Sequence, residues 1–324
     1  MRWLKMIVLS ALWLSFAAMA AEKVKVGYIA LPSQAPTFIA LSKGYFATEG
    51  LDAELVAFQA AQAMAVAIAS GDIDYGVTAV SGGLLNLAAR GDTVRIFGGA
   101  LQEASGVQGH KIIASKQAYD ADLTKPDALN GKRFAITTQG SSFDYMGRQI
   151  AAQLGFQIQT VALNNMPAIA AALQAGKVDA AVAQPGIADD LIAKGAAVQI
   201  GNVVDFLPDY QVTVLFTSAA KVKEKPQEVA AFKRAFAHGA ADYNAAFVKK
   251  TLSAKEAEAL VGIIHQYVYT THSAAEADKL IRDSAMLIAP EAALNRRDVL
   301  QQIDWFKAQK IVPDTLDGNA LLVE

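Results

Sequence analysis

Cysteine is missing from all 324 residues. That absence excludes a disulfide framework, a thiolate zinc site and a cysteine nucleophile, and leaves no sulfur to carry a lipid anchor. A chain of this length builds its core without cross-links. Histidine is scarce. The four present, His110, His238, His265 and His272, show no metal-ligand spacing with each other or with carboxylates. No basic excess exists either, with 29 Lys and Arg against 31 Asp and Glu, so the footprint of a nucleic-acid binder is absent. After the first twenty residues no apolar run reaches the roughly 20 residues of a membrane-spanning helix.

Those first twenty residues are a different kind of segment. Arg2 and Lys5 give a positive start, Met6 to Phe16 is apolar except for Ser10 and Ser15, and Ala18-Met19-Ala20 supplies a small-x-small ending. This is the pattern of a secretory leader cut before Ala21. The expectation is an exported chain of about 300 residues without a direct membrane anchor, enough for two lobes on a scale of roughly 100–200 residues each. Removing Arg2 and Lys5 leaves the acidic residues in excess by about four.

Strands and helices then alternate. Val24–Ile29 reads as a strand, Leu31–Pro36 as a loop with two prolines, Thr37–Glu49 as a helix ended by Gly50, and Leu51–Phe58 as a strand. A helix over Ala60–Ser70, a strand over Ile73–Thr78, a helix over Gly82–Arg90 and a strand over Val94–Gly98 follow. Such alternation predicts an α/β fold with mostly parallel sheets and helical crossovers.

The chain also repeats itself. Ala67-Ile68-Ala69-Ser70-Gly71-Asp72-Ile73-Asp74-Tyr75-Gly76-Val77 aligns with Ala172-Leu173-Gln174-Ala175-Gly176-Lys177-Val178-Asp179-Ala180-Ala181-Val182, 105 positions later. Each copy reads as an alanine-rich helix, a glycine cap, a turn with Asp and a buried strand. A strand and a small-residue loop precede each copy, at Val24–Ile29 and Lys132–Thr137. Two similar lobes account for this. We expect lobe 1 to hold residues 21–103 and 212–324 and lobe 2 residues 104–211, with hinge crossings near 102–110 and 205–211. From Pro226 the chain reads helical. Ser253-Ala254-Lys255-Glu256 and Ser273-Ala274-Ala275-Glu276 are capping boxes, and Glu291–Gln309 is a last amphipathic helix expected on lobe 1.

Taken together, these segments resemble a known family. Val26-Gly27-Tyr28, the stretch Ala40-Leu41-Ser42-Lys43-Gly44-Tyr45-Phe46-Ala47-Thr48-Glu49-Gly50-Leu51, Ala69–Asp74, Leu129–Arg133 and Ala172–Ala181 are similar to periplasmic substrate-binding proteins of ABC importers for nitrate, taurine, alkanesulfonates and thiamine-pyrimidine precursors. The similarity runs from about 24 to 240. It implies a two-lobed type II periplasmic binding fold, a ligand in the cleft, an inner-membrane ABC permease as partner, and a place in the periplasm. The chain departs from the pattern at Gln184-Pro185, where sulfonate and taurine relatives commonly have an aromatic residue before proline. It also lacks the cysteine-rich segment of the thiamine-pyrimidine synthases.

In open α/β sheets ligands bind beyond the carboxyl ends of the strands, near helix N-termini. That rule selects Ser33 and Gln34 after the first strand, Ser81 and Gly82 before a helix, and Gln102 at the first crossing. In the second lobe it selects Thr138, Gly140, Ser141 and Ser142 within the small polar run Thr137–Ser142, then Asn165 and Gln184. Serine at such places is also an ordinary helix cap. Phe143 and Tyr210 are aromatic residues suited to stack on a ligand or to pack in the core.

No Lys or Arg falls in these loops. A solute with one anionic group held by helix N–H groups fits, as does a neutral polar heterocycle; a dianion, which commonly recruits arginine, fits less well. A sulfonate, a monocarboxylate and a pyrimidine-like ring all remain open. Arg148, a turn or two into its helix, is expected to point away.

An enzyme is the weaker alternative. Ser218-Ala219-Ala220-Lys221 matches a Ser-x-x-Lys pattern without its Lys-Thr-Gly partner. Asp72 and Asp74 sit at the wrong end of a strand, and no dinucleotide or phosphate-loop glycine motif occurs. A soluble sensor serving a membrane receptor is the other alternative. We expect a monomer without metal or cofactor.

Overall fold

The computed structural model describes residues 21–59, 61–91 and 93–323. Residues 1–20, which hold the expected leader, lie outside them, as do Ala60, Asp92 and Glu324.

Two five-stranded sheets organise the chain. The first contains β1 (Glu22–Tyr28), β2 (Leu51–Ala57), β3 (Tyr75–Ala79), β4 (Val94–Gly99) and β10 (Thr213–Ser218), in the order β2-β1-β3-β10-β4. The second contains β5 (Lys111–Ser115), β6 (Arg133–Ile136), β7 (Gln159–Ala162), β8 (Ala180–Ala183) and β9 (Ala197–Asn202), in the order β7-β6-β8-β5-β9. In each, the fourth strand runs against both neighbours while the first three are parallel. That reversed strand, β5 or β10, is the one the chain enters after passing between the sheets. The sheets are therefore mixed, mostly parallel, and copies of each other in topology.

Helices connect the strands as the alternation requires. Around the first sheet lie α1 (Ala35–Ser42), α2 (Tyr45–Thr48), α3 (Ala61–Ser70) and α4 (Gly82–Ala89). Around the second lie α5 (Lys116–Asp120), α6 (Ser142–Gln153), α7 (Met166–Gln174) and α8 (Pro185–Ala193). The single helix expected over Thr37–Glu49 is in fact two, because Gly44 turns left-handed at φ 74° and ends α1. A left-handed glycine stops one helix, and the short α2 starts from it.

The repeat has a structural reason. Gly71 and Gly176 both adopt positive φ, 82° and 64°, to end α3 and α7. The Asp that follows then pins the neighbouring strand. Lys25 N–H donates to Asp74 Oδ2 at 2.8 Å, and Arg133 N–H donates to Asp179 Oδ2 at the same distance. In return the Asp74 and Asp179 amides donate to the carbonyls of Lys25 and Arg133. Each carboxylate thus closes a two-bond clasp at the amino ends of the strands, away from the loops selected for binding.

The C-terminal part comprises α9 (Ala219–Glu224), α10 (Pro226–Tyr243), a π turn over Asn244–Val248, α11 (Ala254–His265), α12 (Ala274–Asp283), α13 (Arg296–Ala308) and α14 (Gly318–Leu321). Both capping boxes form, at Ser253–Glu256 and Ser273–Glu276. The last long helix begins at Arg296 rather than Glu291. Pro290 opens a short 3-10 turn, Glu291 and Ala292 have φ of 55° and 50°, and the Asn295 side chain caps Asp298. From α13, Val299, Ile303 and Phe306 pack with Met64, Leu84 and Phe216 of the first lobe. At the end of α12, Ser284 lies against Gly186 at the start of α8, so this segment also touches the second lobe.

Buried apolar side chains form three clusters among the described residues. One runs through both lobes, from Val26 and Phe38 to Ile112 and Phe134. The others back the remaining face of each sheet. The continuous cluster joins the lobes around the two crossings.

Candidate functional site

The loops leaving the carboxyl ends of the parallel strands meet. Gly82 N–H, at the start of α4, donates to the Gly140 carbonyl in the loop before α6 at 2.9 Å. Ile311, from the turn after α13, covers this point. Its Cγ2 would lie 2.4 Å from a β-carbon on Gly82 and 3.0 Å from one on Gly140. Only glycines permit this approach.

Beside the glycines stand two serines that cap the helices. Ser81 Oγ accepts from Leu84 N–H, and Ser141 Oγ accepts from Asp144 N–H, both at 3.3 Å. Ser142 is buried and makes no side-chain hydrogen bond within the described residues. Thr138 is exposed, although its carbonyl accepts from Ser141 N–H. Asn165 is also exposed and caps Ala168 N–H at 2.9 Å. Gln184 is half-buried ahead of Pro185, and its side chain caps nothing.

In the first lobe Ser33 and Gln34 are buried. Gln34 Nε2 donates to the Val77 carbonyl at 3.1 Å, while its Oε1 has no partner. Gln102 pairs with Gln211, which brings the two crossings side by side. Next to Gln211, the Tyr210 ring stacks on Tyr145 of α6 at 5.2 Å. Burial raises the Tyr210 phenol well above its ordinary pKa, so the group stays neutral.

Arg148 is committed to its own helix and the adjacent strand. Its Nε donates to Asp144 Oδ1 at 2.7 Å and its Nη2 to Thr160. Asp144 is fully buried and also accepts from Gly140 N–H at 2.9 Å. The carboxylate thus secures the loop before α6 and occupies the nearest guanidinium.

Five residues were missed or left without a role by the sequence pattern. Thr37 and Thr78 are buried close to Gln34, and their hydroxyls lack partners. At the first crossing, His110 Nδ1 meets Glu103 Oε1 at 2.6 Å, both groups being buried. An isolated Glu in the crossing and a His at the next strand are the available signals, and periodicity cannot join them. Gln211 is a hub: its amide donates to Asp298 Oδ2 at 2.8 Å, and its side chain bonds Leu101, Thr213 and Asn295. Burial pushes Asp298 up to about 6 against the lowering effect of its hydrogen bonds from Gln211 and Gln302. No group of three or more His, Asp or Glu positioned for a metal occurs among the described residues.

This double α/β arrangement has relatives. A family model described as NMT1/THI5 like matches residues 31–246, more than half of the chain. The chain belongs to the NMT1/THI5-like family. Solved structures carry the same fold. The periplasmic aliphatic sulphonate binding protein SsuA of Escherichia coli superposes with a TM-score of 0.72 at 18% identity, covering 94% of this chain and 92% of that one. The alkanesulfonate-binding SsuA of Xanthomonas axonopodis pv. citri, bound to MOPS, gives 0.70 at 18% identity, covering 94% and 99%. The periplasmic nitrate-binding protein NrtA of Synechocystis PCC 6803 gives 0.69 at 14%, covering 93% and 84%. No curated protein matches the chain in sequence. This NMT1/THI5-like protein therefore has the fold of periplasmic ABC-type binding proteins, and among its described residues no helix is long and apolar enough to cross a membrane.

Proposed function

We propose that this protein is the solute-binding component of an ABC importer. It is exported by a cleaved leader, works as a periplasmic monomer, captures one small solute between its lobes and presents it to an inner-membrane permease. The observation that carries the reading is the meeting of two helix starts across the cleft, with Gly82 bonded to Gly140. Loops of this kind offer N–H groups and small polar side chains to a solute, and bring no lysine or arginine. The residues we assign to the solute are Ser33, Gln34, Ser81, Gly82, Gln102, Thr138, Gly140, Ser141, Ser142, Asn165, Gln184 and Tyr210.

The lobes are taken to divide near 103/104 and 211/212, with closure about the paired crossings. Solutes named for the structural relatives, sulfonates and nitrate, join monocarboxylates and pyrimidines as the classes to test. The protein performs no chemistry on its solute in this reading.

A thermal-shift screen with sulfonates, nitrate, monocarboxylates, pyrimidines, amides and amines tests the proposal. A solute bound only by the folded state at 100 times its Kd adds about 2.7 kcal/mol, enough to raise Tm by several degrees. One responding class supports solute binding. Turnover of a responding solute would replace this reading with an enzymatic one.

A further inference from the structure

The two crossings hold a pair of buried oxygens that the fold does not use. Glu103 is 0% exposed, and its Oε1 takes both the His110 N–H at 3.0 Å and the His110 Nδ1 at 2.6 Å. Its Oε2 has no partner. Gly109 packs directly against that oxygen, since a β-carbon there would stand 1.9 Å from it. On the other crossing, Tyr210 is 1% exposed and its hydroxyl is also without a partner. The two residues are neighbours, for Glu103 N–H donates to the Tyr210 carbonyl at 2.9 Å. Tyr210 and His110, the partner of Glu103, adjoin α6 at the second lobe. The Tyr210 ring stacks on Tyr145, and the His110 ring stands edge-on to Phe143, next to Ser142.

Buried polar atoms are normally paired, and an unpaired carboxylate oxygen is the costliest kind to leave alone. The nearby cations are committed elsewhere: Arg148 to Asp144, and Lys111 to Asp189. An anionic solute at Oε2 would set acceptor oxygen against acceptor oxygen, because His110, the residue facing this carboxylate, lies on Oε1. A solute N–H would instead give Oε2 a charge-assisted hydrogen bond.

We propose that Glu103 and Tyr210 form the hinge-side part of the binding site and select a neutral or cationic solute bearing an N–H donor, such as an amine, an amide or an amino-heterocycle, over an anion. This rests on the solute-binding reading. It sets the protein apart from the sulfonate and nitrate binders that share its fold. Glu103 is the acceptor, Tyr210 the adaptable donor or acceptor, and His110 a positioning residue that fixes the carboxylate through Oε1.

Calorimetry on the protein with matched probes tests the assignment: benzamide against benzoate, methanesulfonamide against methanesulfonate, and cytosine against orotate. The expected result is binding of N–H-bearing neutral members at least tenfold tighter than of the anions. Glu103→Gln should weaken that binding tenfold or more. Tyr210→Phe keeps the ring on Tyr145, should fold with an unchanged Tm within a few degrees, and should weaken binding severalfold. Tighter binding of the anions, or equal binding of the neutral probes by wild type and Tyr210→Phe, overturns the inference and leaves solute binding intact. Silence of every probe here and in the wider screen overturns both.

Discussion

The amide of Gly82 and the carbonyl of Gly140 join the loops of the two sheets at 2.9 Å, with Ile311 lying over both. No side chain fits between them. A larger residue at 82 must displace Ile311 or hold the lobes apart. Gly82→Val is therefore expected to weaken solute binding tenfold or more and to give a larger radius of gyration at saturating solute. Overpacking of this kind costs about 1–3 kcal/mol of stability. Ile311→Ala added to Gly82→Val should restore most of the affinity. Unchanged affinity in the single variant would show that this contact does not belong to the liganded state.

Ser141 and Ser142 are adjacent but do different work. Ser141 Oγ caps Asp144, whereas Ser142 is a buried residue whose hydroxyl makes no hydrogen bond among the described residues. Ser141→Ala should cost about 1 kcal/mol of stability through the lost cap. Ser142→Ala should leave urea denaturation almost unchanged and lower affinity in calorimetry. Equal effects of the two on stability and none on binding would make both structural.

The repeated clasp makes a pH prediction. Asp179 holds Arg133 N–H, and its side-chain hydrogen bond with the Arg133 guanidinium keeps its pKa below the ordinary Asp value. A depressed folded pKa contributes stability that is present above about pH 4 and fades as pH falls through the lower folded value. Asp179→Ala should remove that part of the acid limb when unfolding is followed between about pH 5 and 2. It should also cost about 0.5–1.5 kcal/mol at neutral pH from the lost hydrogen bond to an exposed amide. An acid limb identical to wild type would contradict the role given to this carboxylate.

Asp298 has the opposite sign. Burial lifts its folded pKa to about 6 from 3.8, so the native state holds the extra proton between these values. Stability from this group falls as pH rises through that window, and the ionised carboxylate is a penalty above it. Asp298→Asn keeps an oxygen for Gln211 N–H and should raise Tm by a few degrees at pH 7.5, with little change near pH 4. A Tm lowered at pH 7.5 would mean that the charge itself is required at the hub around Gln211.

Much of this architecture was legible in the residues. Gly71 and Gly176, each with Asp three residues on, disclosed the duplication because a left-handed helix end and a strand clasp impose local sequence needs. Ser253–Glu256 and Ser273–Glu276 fixed two helix starts for the same reason. The break at Gly44 escaped because a glycine within an apolar pattern does not announce which side of it remains helical, and the late start of α13 because the positive φ of Glu291 and Ala292 carries no local sequence signal. At the site, small polar loops were readable as loops, and Ser81, Ser141 and Asn165 as caps. What stayed hidden depends on distant pairing. Glu103 lies seven residues from His110 in a segment without periodicity, and Gln211 gains its meaning only from Asp298 in a helix 87 residues later.

Trp305 tests the central claim most directly. Trp3 and Trp13 fall within the first twenty residues, so a chain beginning at Ala21 has Trp305 as its single tryptophan. The ring sits edge-on to Tyr145 at 5.0 Å, joining α13 beside the first lobe to α6 of the second. A solute that draws the lobes together should give a saturable change in Trp305 emission, with the same midpoint as calorimetric binding. Calorimetric binding with Trp305 emission unchanged throughout would contradict capture by closure of the two lobes.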